Sequence, residues 1–186
     1  MKRPKKGEYA PMHGTYLSEL PKRGSALSLL RKTFRESREL LGSLPDTTGN
    51  FRYMPDKWTL KQVIAHLIDF ERVFAFRILS FMRADRIGLP GFNQDFWMEE
   101  VDVSGRSIKD LLNEWKPVRD NTIFLLRQCT EKQATFLGTA SGLKCTPRAL
   151  FFVLIGHHIH HLRTLRELYL NQKDSTRSDH DPEVGA

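Results

Sequence analysis

The stretch TLKQVIAHLIDFERVFAFRILSFMRA, residues 59–84, decides most of what this chain can become. Thr59 and Gln62 have the spacing of a capping box, in which the Thr hydroxyl and the Gln side chain satisfy free backbone donors at a helix start. Behind that cap Val63, Ile64, Leu67, Ile68, Phe70, Val73, Phe74, Phe76, Ile78, Leu79 and Phe81 leave little of the circumference polar. A helix apolar on most sides must pack on several neighbours at once. The segment therefore predicts the central helix of an all-α fold.

Three further long helices are legible. Ser25 to Leu41 carries a stripe of Ala26, Leu29, Leu30, Phe34, Leu40 and Leu41, and ends at the breakers Gly42 and Pro45. Ser107, with Asp110 three positions on, opens a helix through LLNEWKPVRDNTIFLLRQ, which Pro117 should kink or restart. Thr146-Pro147 opens the last one, since proline at the first helical position loses no needed donor, and it runs to about Leu170. A short helix is expected over Glu131 to Phe136. Residues 85–106, with Gly88, Pro90, Gly91, Gly105, Phe92, Phe96 and Trp97, lack sustained helical spacing and read as a long crossover. Four main helices, one crossover and no strands predict a four-helix bundle that departs from simple up-and-down order.

The length of 186 residues suits one domain that needs neither disulfide nor structural metal to form a core. Its expected extent is 7–171, between a basic arm at 1–6 and a polar tail at 172–186 read as disordered. Cys129 and Cys145 have no metal-site spacing, and the N-terminus lacks an apolar signal region, so a reducing cytoplasmic compartment is expected. No run approaches a membrane span. The net charge of +7 raises the question of nucleic acid. Outside the first 38 residues, however, Lys and Arg are interleaved with Glu and Asp and form no nucleic-acid motif, so a solvated surface and no specific nucleic-acid partner are expected.

Chemistry concentrates in GHHIHHL, residues 156–162. At about 100° per residue, His157 and His161 share the inward side with Leu150, Leu154, Leu165 and Leu168. His158 lies on the shoulder with Phe151, Ile155 and Leu162, and His160 points outward with Arg163 and Glu167. An HxxxH pair on one helix face can offer two nitrogens to one ion. The other reading is a pair of cleft histidines satisfied by hydrogen bonds. His66, inward on the central helix, is costly to bury without partners. On the metal reading it would be the third ligand, of the kind a bundle assembles from facing helices. Three protein ligands leave an open coordination position, the mark of a catalytic site. With His158 where a Glu would stand, HExxH protease chemistry is disfavoured.

Taken together, GEYAP, DKWTLKQVIAHLIDFERVFAFRIL, LPGFNQDFW, GTASG and GHHIHHLRTLRELYL make the chain, from about Gly7 to Leu170, resemble the DinB-like (YfiT-like) metal-binding four-helix bundle superfamily. The resemblance implies an up-down-down-up bundle, frequent homodimers and one divalent metal, nickel or zinc, on His66, His157 and His161. It implies no DNA binding. Members with assigned activities include metal-dependent transferases that use low-molecular-weight thiols, and others are taken to be hydrolases. Two positions depart from the family pattern: His158 replaces a Glu, and Asn93 replaces an Asp.

The function expected is a metal-dependent thiol S-transferase or hydrolase acting on a small molecule, the ion activating a water or a thiol. The alternative is a non-catalytic metal- or ligand-binding stress-response protein. Candidate catalytic residues are His158, in place of the Glu, and Asp95, placed to orient a polar substrate group. Trp58, Phe92, Phe96 and Trp97 either wall the pocket or pack the crossover on the bundle. Asp69 and Glu71 either support a ligand imidazole or lie on the surface. Arg72 and Arg77 either attract a carboxylate-bearing thiol or form surface ion pairs, and the cysteines read as packing residues.

Overall fold

The computed structural model describes residues 1–170, so the tail expected to be disordered lies outside the described residues. The helices are α1 (Gly14–Ser18), α2 (Ala26–Gly42), α3 (Leu60–Met82), α4 (Gln94–Glu100), α5 (Ile108–Gln128), α6 (Glu131–Ala134) and α7 (Pro147–Thr164). Leu165–Leu170 continues α7 as a wider π-type turn. Two short strands, β1 (Gly138–Ala140) and β2 (Leu143–Cys145), pair antiparallel.

The long helices start where side-chain caps allow. Gln62 N–H donates to Thr59 Oγ1 at 3.1 Å and the Thr59 N–H returns to Gln62 Oε1 at 2.9 Å, closing the box at the start of α3. Ser107 and Asp110 do the same for α5, and Thr146 caps α7 ahead of Pro147. Pro117 neither breaks nor restarts α5, which runs through it.

α3 packs on α5 and α7, and α2 packs on the same two helices from the opposite side. Arg72 meets Glu114, and further along both helices Leu79 and Leu125 line one groove, so α3 and α5 run parallel. Parallel neighbours require a long connection, and residues 83–107 provide it. The bundle is up-down-down-up.

The short helix expected over Glu131 to Phe136 is present as α6, and two findings correct the reading of a helix-free crossover and a strand-free chain. The crossover carries α4, capped by Asn93, whose Oδ1 accepts from Asp95 N–H and Phe96 N–H. GTASGLKC forms the hairpin, with Ser141 at φ 53° and Gly142 at φ 74°, the signature of a two-residue type I′ turn. Leu89 joins Ala140 by a parallel bridge and ties the crossover to the hairpin. Elements this short carry less than two periods of any hydrophobic pattern. The basic arm also touches the bundle: the Arg3 guanidinium lies over the Phe152 ring at 5.9 Å.

The core divides in two. One cluster gathers Leu30, Phe74, Ile78, Phe81 and Phe151 to Ile155, the other Leu41, Leu60, Ile64, Ile68, Leu111, Trp115 and Tyr169. Each fully buried Ile or Phe stabilises the fold by about 1.5–3 kcal/mol. Where the clusters meet, α3 presents His66 and Glu71 and α7 presents His157, His158 and His161, a polar layer inside an apolar bundle. Among the described residues no helix is long and apolar enough to cross a membrane.

Candidate metal centre

His66 projects from α3 toward α7, where His157 and His161 stand one turn apart. His66 Nε2 lies 3.0 Å from His157 Nε2, and His161 Nε2 lies 3.2 Å from the same atom. One nitrogen from each of the three rings falls within 4.8 Å of the others. His66 and His157 are buried and His161 is half-buried.

Neighbouring rings hold these imidazoles in place. Phe70 stacks on His157 with centroids 3.6 Å apart, Tyr16 meets the same ring edge-on at 5.1 Å, and Trp58 lies 4.9 Å from His66. Burial pushes the pKa of His66 down to about 4. Burial, helped by His66 and His160, pushes that of His161 down to about 3. His157 is driven well below its ordinary value by burial first and the neighbouring His161 second. Each shift favours the neutral imidazole, the ligand state of histidine.

The donor set fits a metal ion. Two imidazole–metal bonds of about 2.0–2.1 Å in tetrahedral array put their nitrogens roughly 3.3 Å apart, close to the two separations observed. Without an ion, three Nε2 atoms turned on one another can share few protons. Among the described residues His157 Nδ1 has no hydrogen-bond partner, so ring packing rather than an acceptor orients this imidazole.

Of the three, His161 reaches open space. It lines a cleft of about 210 Å³ with Tyr53, Trp58, Asp95, Thr164 and Tyr169. Gln62 Nε2 donates to the Met98 carbonyl at 2.7 Å, holding α4 over the start of α3 and bringing Asp95 to the cleft mouth. A larger groove of about 760 Å³ between α2 and α5 contains none of the histidines.

A model of the DinB superfamily matches residues 29–165. The chain belongs to the DinB superfamily. Among solved structures, YfiT from Bacillus subtilis, described as a probable metal-dependent hydrolase with an unusual four-helix bundle topology, matches with a TM-score of 0.70. It is 16% identical, and the match covers 92% of this chain and 94% of that chain. At that identity the likeness establishes the fold. No curated protein matches the chain.

The other singled-out residues are dispersed across this DinB-superfamily bundle. His158 is buried and turned away from the three imidazoles, toward α2 and α5. Its Nδ1 accepts from Arg119 Nη2 at 3.0 Å, which leaves the proton on Nε2 to donate to Ser37 Oγ at 2.7 Å. Burial, then the Arg119 charge, drives its pKa well below the ordinary value. Asn93 is the cap of α4, a task that either an amide or a carboxylate oxygen performs. His160 lies at the surface, 3.6 Å from Glu19.

Neither nearby carboxylate supports a ligand imidazole. Asp69 pairs with Arg72 at 3.2 Å, in a surface network with Glu114 and Arg106. Glu71 is fully buried, contrary to the surface placement expected as the plainer case. Its Oε2 accepts from Trp115 Nε1 and from Arg119 Nη2, both at 2.8 Å, and Arg119 Nη1 donates to the Leu30 carbonyl. Arg119 Nε approaches Oε1 to 2.8 Å at an angle that gives ion pairing without a hydrogen bond.

Sequence reading missed this pair although part of the signal was present. Glu71 falls at the core spacing of Leu67, Phe74 and Ile78, and Arg119 at that of Leu112, Trp115 and Leu126. Phe96 is exposed, so Trp58 rather than Phe96 walls the cleft. Cys145 is buried in the core and Cys129 half-buried.

Proposed function

We propose that this protein is a metal-dependent enzyme acting on a small molecule, as a thiol S-transferase or a hydrolase. His66, His157 and His161 would be the ligands of one divalent ion, nickel or zinc. The observation that carries this reading is the convergence of three ring-packed imidazoles with their nitrogens within 4.8 Å of one another, one of which borders an open cleft. Bound there, the ion would supply Lewis acidity and lower the pKa of a water or a low-molecular-weight thiol. The chain's own groups do the rest: Trp58 and Tyr169 exclude water from one side of the cleft, and Asp95 orients a polar group of the substrate. The hydrolase arm also draws on the description of YfiT. The same proposal includes a homodimer, because Phe76 and Leu79 on α3 and Phe124 on α5 are large apolar side chains left exposed.

Metal analysis of protein purified without an affinity histidine tag tests the ligand set. About one ion per chain is expected in the wild type, and strong depletion in His66→Ala and His161→Ala. Full occupancy in both variants would overturn the assignment. Assay of the loaded protein against thiol-plus-electrophile pairs and against small esters and amides tests the activity. Tight metal binding with no turnover on either panel would leave the non-catalytic reading in its place.

A further inference from the structure

We propose that a second cavity, behind the Phe70 and Tyr16 rings that cover His157, binds a small organic carboxylate with an apolar body, anchored by Arg77. The cavity has a volume of about 310 Å³ and lies between α3, the crossover, the β1–β2 hairpin and α7.

Three buried arginines occur among the described residues, Arg77, Arg119 and Arg148. Arg119 pairs with Glu71, and Arg148 with Glu8 and Glu131. Arg77 has no carboxylate. Its Nη2 donates to the Pro90 carbonyl at 2.9 Å and to Ser141 Oγ at 2.8 Å, while Nε and Nη1 have no hydrogen-bond acceptor among the described residues. Burying a charge without a counter-charge is costly. This one is nevertheless held firmly, between Phe74 at 5.5 Å and Phe92 at 5.7 Å from their ring centroids. A firmly held guanidinium that lines a cavity and keeps donors without an acceptor among the described residues is suited to receive a carboxylate.

The remaining lining agrees with an anion. Among the described residues no Asp or Glu borders the space, and its other polar groups come from His13, Tyr16, Gln94, Ser141 and Cys145. His13 Nδ1 is buried without a partner. Phe70, Phe74, Phe92 and Leu143 make the rest of the wall apolar. One cation in an apolar chamber neutralises a monoanion but not a phosphate dianion. The volume is at the lower end of small-molecule sites, enough for a ring and a carboxylate. Of the two readings open for Arg77, attraction of a carboxylate or surface ion pairing, its burial favours the first, and the site stands whether or not the histidines hold metal.

Phenylacetate serves as the probe and phenylacetamide as its neutral match, with affinity read by titration calorimetry. Phenylacetate should bind the wild-type protein about ten-fold or more tightly than the amide. Arg77→Met should lose that advantage, and His161→Ala should retain it. Leu143→Trp, which fills the half-buried side of the cavity and leaves Arg77 intact, should bind neither ligand, and it decides the matter if Arg77→Met does not fold. Equal affinity for acid and amide, phenylacetate affinity unchanged in Arg77→Met or Leu143→Trp, or no binding to the wild type would overturn the proposal. So would loss of binding in His161→Ala alone, which would assign the probe to the histidine cluster and leave the question of metal occupancy to be answered separately.

Discussion

Phe70 lies face to face on His157, with ring centroids 3.6 Å apart and planes 5° from parallel. Because His157 Nδ1 has no hydrogen-bond partner, this stack, together with the Tyr16 edge, sets the orientation of the imidazole. Aromatic pairs are worth about 0.5–1.5 kcal/mol beyond the area they bury. Phe70→Leu keeps an apolar residue but frees the ring. Metal affinity measured by chelator competition should fall about 3–10-fold, with one ion per chain still bound at saturation.

The Glu71–Arg119 pair joins α3 to α5 with both side chains about 1% exposed. Removing one member of such a pair strands a buried charge, which costs about 3–5 kcal/mol. Glu71→Gln and Arg119→Met should each show a loss of that size in urea denaturation. The double variant should lose clearly less than the two added together, since neither charge is then left alone.

The long helices and the inward faces of His66, His157 and His161 were legible because those segments run for many turns and their stripes are sustained. α1, α4 and the hairpin were not, since three to seven residues cannot display a period. The Glu71–Arg119 pair escaped for another reason: each residue sits at a core spacing, but their partnership spans 48 positions and exists only once α3 and α5 run side by side. His158 escaped similarly. A shoulder position on the wheel left its direction open, and only the packing of α2 and α5 turned it from the cleft toward Ser37 and Arg119.

That placement separates His158 from the proposed ligands. His158→Ala should leave Arg119 and Ser37 short of a buried partner and cost about 1–3 kcal/mol, while metal content stays at the wild-type level. A variant of unchanged stability that nonetheless loses activity would restore His158 as a catalytic residue.

Burial raises the Cys145 thiol from 9.0 to about 11. The folded state therefore holds its proton where the unfolded chain releases it. This contribution to stability is fully present below about pH 9 and is lost as pH climbs toward 11. Removing the thiol in Cys145→Ala should flatten that part of the stability profile. At pH 8 iodoacetamide should modify half-buried Cys129 and leave Cys145 intact until denaturant is added, as intact-mass analysis would show.

Gly156, immediately ahead of the histidines, lies close against the α1 backbone at Tyr16. A Cβ built there would lie 1.9 Å from the Tyr16 carbonyl oxygen and 2.6 Å from its carbonyl carbon. Backbone cannot rotate out of the way as a side-chain tip can, so Gly156→Ala must push α1 off α7 and carry the Tyr16 ring away from His157. Overpacking of this kind costs about 1–3 kcal/mol or more, against the small gain in helix propensity that alanine brings. Net destabilisation is expected in thermal unfolding, with faster hydrogen exchange over residues 14–18. Unaltered stability and unaltered exchange would show that α1 does not seat against α7 at this glycine.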